Sequence, residues 1–223
     1  MSLLWTTAAW WNKDRDFEYE GDEQYPLRDP NESLPERGNR YVAQVAQAHS
    51  VPEKTARNAL KHVHNHIESM HSSPEDFGFA SSANQQMHYS LPMRRKLMDP
   101  KTWEGHQTEQ VSLQQPLHAS QNFIRPNRVA HNLFHPGHEV AEEDQAVGDP
   151  DYKPEWDQER REESREDLES SPEERALHEQ ARFMRRRSGR LEVVDGHHRV
   201  AADMLLGKSH TPGVVIHERD LED

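Results

Sequence analysis

A 223-residue chain with 32% hydrophobic residues, 30% charged residues and no cysteine has no disulfides, thiolate metal ligands or thiol chemistry available. It also has too few apolar side chains to bury one continuous core along its whole length. The formal net charge of −13 is unevenly placed: residues 139–179 hold 17 acidic and 5 basic side chains, so overall acidity does not exclude an anionic partner elsewhere on the chain.

Residues 1–36 are aromatic at first and then acidic and proline-dotted, the composition of an arm. The run Leu3–Trp11 is too short to span a bilayer and lacks the basic flank and cleavage site of a secretory signal. A soluble chain with no membrane partner is therefore expected. Trp5, Trp10 and Trp11 are expected to pack on the body or on a neighbouring copy, which makes a homo-oligomer an expected partner.

Residues 37–70 read as helical. Val42, Val45, Ala46 and His49 share one face; after a break at "HSVP", Ala56, Ala59, Leu60 and Val63 recur at three-to-four spacing. Ser50 and Glu53 have the spacing of a capping box for the second helix. Two helices joined by so short a turn resemble a helix-turn-helix, with Ser50 where that family prefers glycine. The resemblance implies that Lys54, Arg57, Asn58 and Lys61 face outward to phosphates and base edges of DNA. A hairpin of helices that only packs, with solvated basic side chains, gives the same pattern. His62 and His66 lie one turn apart, but without a matching carboxylate they read as surface histidines, and no metal is expected.

Residues 71–109 are Ser-, Met- and Gln-rich and read as a linker with one short helix near the basic run "MRRKLMDPK". From 110 begins a mixed domain: a short strand, a polar turn, and a helix starting near Pro126, where a missing amide costs nothing. The acidic stretch 139–180 has almost no apolar periodicity and reads as an exposed insertion.

The chain becomes strongly patterned again at "RFMRRRSGRLEVVDGHHRVAADMLLGK". Two strands join at Ser188-Gly189, a turn follows at Asp195-Gly196, and a helix runs from His197 to Leu206 with Gly207 as its left-handed stop. Pro212 opens a last strand. A strand passing through glycine into a helix leaves main-chain amides at residues 196–199 aimed at one spot, and with the helix dipole they favour an anion. Arg199 adds a planar cation. His197 and His198 can exchange protons near neutrality, and Asp195 can orient one of them. Gly196, His197, His198 and Arg199 are thus candidate phosphate or nucleotide ligands, and Asp195, His197 and His198 candidate catalytic groups. A capped helix start with polar side chains is the competing reading.

A hydrophobic strand, Asp195-Gly-His-His-Arg199, two small residues, Gly207-Lys208 and a Pro-led strand resemble the ParB/sulfiredoxin-like superfamily, in particular small ParB-like nuclease-domain proteins of actinobacteria and their phages. Residues 110–138, with Gln121 and the Arg125-Pro-x-Arg128-Val run, resemble the first strand and helix of that domain. The fold class so implied is α+β: an N-terminal helix-turn-helix-like region, then a ParB-like domain at 110–223 interrupted by the acidic insertion. The resemblance implies a nucleoside triphosphate, CTP or ATP with Mg2+, as cofactor, and DNA as partner. His197 stands where the sulfiredoxin branch has its cysteine, which removes that activity. Ala201 replaces an arginine of the triphosphate clamp. The Asp-Gly-His-x-Arg turn is also similar to that of free-serine kinases of the same fold.

Three functions follow from these residues. One is a DNA-associated ParB-like protein of the bacterial cytoplasm with a phosphate-binding turn, its enzymatic activity (nucleotide hydrolase or nuclease) left open. The second is a phage structural or assembly protein of the virion, keeping the fold without catalysis and joining other particle proteins. The third is a small-molecule phosphotransferase.

Overall fold

The computed structural model describes residues 32–67, 69, 71–81, 89–136 and 180–221. Almost all of the N-terminal arm and of the acidic insertion, and residues 82–88 of the expected linker, lie outside them. The architecture is α+β, with helices at its N-terminal side and a mixed five-stranded sheet.

Helix α1 (Leu34–His49) starts earlier than its apolar face suggests, because Ser33 and Glu36 form the capping box. Ser33 N–H donates to Glu36 Oε2 at 2.9 Å and Glu36 N–H to Ser33 Oγ at 3.4 Å. The box expected at Ser50 and Glu53 does not form. Ser50 has φ 53° and ψ 42° as the left-handed C-cap of α1, and helix α2 (Glu53–His66) begins after Pro52 without a side-chain cap. The serine backbone is committed to ending one helix, so its hydroxyl does not start the next.

The sheet contains β1 (Thr108–Ser112), β2 (Leu117–Ala119), β3 (Ala181–Arg185), β4 (Leu191–Asp195) and β5 (His210–His217) in the order β1-β5-β3-β4-β2. The β1–β5 and β3–β4 pairs are antiparallel, and β5–β3 and β4–β2 are parallel. The β3–β4 hairpin turns at Ser188-Gly189, where Gly189 takes φ 84°. The last strand begins at His210, two residues before Pro212, which is paired with Gln110. Pairing with β3 starts only at Gly213, so the missing proline N–H removes nothing from the central ladder.

One sheet face carries Leu117, Phe183, Leu191 and Val193 against α1, α2, helix α4 (Pro126–Phe134) and helix α5 (His197–Leu205), all within one hydrophobic cluster. The helical region 37–70 therefore shares its core with the domain at 110–223. The other face carries Met184, Val214 and Ile216 under Leu97 of helix α3 (Leu91–Met98) and Trp103. Trp103 is fully buried, and its indole N–H donates to Leu97 O at 2.9 Å. Much of the expected linker is thus a cover for the sheet. Phe77 and Phe79 extend it to the first face.

Candidate functional site

Parallel neighbours β2 and β4 each run through a short loop into a helix, β2 into α4 and β4 into α5. Both helix N-termini consequently open at the carboxyl edge of the same strand pair, the edge at which open α/β sheets commonly take ligands. Pro126 occupies the first turn of α4, where its lack of an amide is tolerated. The strand-to-helix turn at Gly196 has φ 76°, and a Cβ there would stand 2.9 Å from Ala181 Cα. Only glycine lets β4 turn so sharply beside β3.

The Asp195–Arg199 turn comes together as one unit, but much of its polarity is directed inward. Asp195 Oδ1 accepts the Gly196 N–H at 2.7 Å, which takes one amide out of the expected receptor, and its other oxygen is 3.9 Å from Arg182 Nη1. His197 is 1% exposed. Its Nε2 accepts the Ser120 N–H at 3.2 Å and lies 3.0 Å from Ser120 Oγ, and a further bond runs to the Val193 main chain. His198 Nε2 accepts the Arg125 N–H at 3.2 Å. Both imidazoles therefore tie α5 to the β2–α4 loop. Burial pushes the His197 pKa down to about 4, opposed by the Asp195 charge and the Val193 bond. Burial pushes His198 down to about 3, helped by His197 and by the guanidiniums of Arg128 and Arg125. Each is a neutral imidazole at pH 7. Arg199 is buried, at 8% exposure.

Arg125 and Arg128, at the start of α4, place two cations beside His198. This charge arrangement suits a phosphate group. Asp195, half exposed, is the carboxylate of the turn, and among the described residues no group of three His, Asp or Glu could hold a metal ion. The sequence carried Arg125 and Arg128 as part of a family pattern, whereas Ser120 bore no motif and was missed.

The second candidate surface is α2. Ala56, Ala59, Leu60 and Val63 are buried, and Lys54, Asn58 and Lys61 are exposed along a narrow arc of the opposite face. Arg57, expected to face outward with them, is half-buried and donates to Asn39 Oδ1 on α1 at 3.1 Å. It braces the helix pair. His62 and His66 serve the following loop: His62 Nε2 is 2.7 Å from Asp76 O, and His66 Nδ1 is 3.3 Å from Ser72 Oγ.

No family model, curated protein or solved structure matches this chain. Its functional reading rests on these two surfaces. Among the described residues no helix is long and apolar enough to cross a membrane.

Proposed function

We propose that this is a ParB-like, DNA-associated protein in which α2 meets the phosphate backbone of duplex DNA. The edge where α4 and α5 begin would hold a further phosphate group. The carrying observation is the exposed Lys54–Asn58–Lys61 stripe on a helix whose opposite face is locked into the core. Charge placement is compatible with it: residues 139–179 carry 17 acidic and 5 basic side chains, a balance of −12, which leaves −1 of the chain's −13 for all other residues. A local cluster of lysines can meet a polyanion on a chain whose acidity lies elsewhere.

Titration of a fluorescent DNA duplex with the full chain tests the first part. Binding that weakens steeply with salt is expected; absence of binding at low salt overturns the reading. Thermal stabilisation by inorganic phosphate, CTP or ATP, each with and without Mg2+, tests the second part. The expected stabilisation is lost in Arg125→Ala plus Arg128→Ala.

One observation favours a second reading, a virion or assembly protein that keeps the fold without catalysis. His197 and His198 accept main-chain N–H groups and so act as internal fasteners, the state expected of a scaffold.

A further inference from the structure

His49, the last residue of α1, sits where four elements meet. Lys208 Nζ donates to His49 Nδ1 at 3.0 Å, which fixes the tautomer: Nδ1 is the acceptor, so Nε2 carries the hydrogen and donates to Leu133 O of α4 at 2.9 Å. Lys208 also donates to Asp203 Oδ1 at 2.6 Å. Asp203 Oδ2 in turn accepts from the fully buried Thr211 Oγ1 of β5 at 2.7 Å. The chain Thr211–Asp203–Lys208–His49–Leu133 ties the end of α1 to α4, α5 and β5.

We propose that His49 is a proton-operated latch whose link to Lys208, joining the end of α1 to the turn after α5, opens when its Nδ1 is protonated while its Nε2–H bond to Leu133 stays. A protonated imidazole has no acceptor for Lys208 and brings a second cation to within hydrogen-bond distance of the ammonium. The groups acting on the ring come from α5 and the turn after it (Asp203 and Lys208) and from α4 (the Asn132 and Leu133 main chain). The Leu133 main-chain bond favours the cation, as do Asp203, whose carboxylate is already shared between Lys208 and Thr211, and the Asn132 main chain. Burial, followed by the Lys208 charge, holds the His49 pKa below its ordinary value, so the latch is closed at neutral pH. Because Ser50 and Val51 bond back to Ala46 and Gln47 in the last turn of α1, opening would loosen the entry into α2.

Two measurements on the full chain without DNA test the latch, so they stand apart from the DNA-binding reading. In the first, NMR follows the His49 ring through pH 8 to 4. The latch predicts the Nε2–H tautomer at neutral pH, a depressed midpoint, and a midpoint that rises in Lys208→Gln. In the second, amide exchange at residues 45–51 is compared with exchange at 191–195. Acidification through the His49 midpoint is expected to raise exchange at 45–51 several-fold more than at the strand. His49→Gln, a neutral side chain offering both an acceptor and a donor, should abolish that excess. An ordinary His49 midpoint insensitive to Lys208→Gln, or the same acid-induced excess in His49→Gln, overturns the proposal.

Discussion

His197 Nε2 receives two approaches from Ser120, the main-chain N–H at 3.2 Å and Oγ at 3.0 Å. It does so between neighbouring parallel strands, so the residue fastens the start of α5 to the end of β2. His197→Ala removes the shared acceptor, leaves the Ser120 N–H with its bond to Val193 O alone, and opens a buried cavity. A loss of about 2–4 kcal/mol in denaturant unfolding is expected. His197→Gln, which keeps an acceptor, should lose less.

Acid should weaken the fold well before carboxylates protonate. His197 and His198 are held neutral, with pKa values of about 4 and about 3. In the unfolded chain each protonates near its ordinary 6.5, so between 6.5 and those lower values the unfolded state binds more protons. Stability is therefore full above pH 6.5 and falls as pH drops toward 4. Urea midpoints from pH 8 to 4.5 check the sign. His198→Asn should flatten the slope.

Beneath α3 lies a carboxylate with no exposed surface, Glu192 on β4. Arg190 grips its Oε1, Arg186 Nε stands 3.4 Å from the same oxygen, and Tyr89 donates to Oε2 at 3.1 Å. Burial and this neighbouring charge hold the Tyr89 phenol above its ordinary range. Glu192→Ala takes away the carboxylate that Arg190, Arg186 and Tyr89 share, leaves Arg186 its pair with Glu218, and opens a buried cavity; an unfolding loss of about 2–4 kcal/mol is expected. Glu192→Gln, which keeps the tyrosine bond, should cost clearly less in the same assay.

Two turns respond oppositely to glycine chemistry. Ser50 pays a steric cost at φ 53°, so Ser50→Gly should raise thermal stability or leave it level, with a gain of up to about 1 kcal/mol. Gly196→Ala combines a left-handed backbone with a Cβ driven against Ala181. A loss of about 2 kcal/mol or more is expected, read as a lower Tm.

Much of this was legible in advance because local signals dictated it. The three-to-four spacing of Ala56, Ala59, Leu60 and Val63 marked a buried helix face, Pro126 marked a helix start, and Gly189 and Gly207 marked turns. What stayed hidden depends on contacts distant in sequence. Trp103 lies in a polar-looking stretch and becomes core only because α3 folds over the sheet. Ser120 matters through a partner 77 positions away. The turn at Asp195–Arg199 was found, but the direction of its histidines is set by the β2–α4 loop. The imidazoles that suggest an open receptor are taken by main-chain N–H groups of that loop and the Gly196 amide by Asp195, and periodicity carries no record of either. Arg57 likewise turns from solvent to Asn39 because α1 passes within reach.

Affinity for a DNA duplex as a function of salt, compared between the natural chain and Lys54→Ala plus Lys61→Ala, tests the central claim most directly. Each phosphate contact contributes about 0.9 to the slope of log K against log salt. The account predicts a slope shallower by roughly 2 in the double variant at unchanged thermal stability. An identical slope in the two proteins would contradict it.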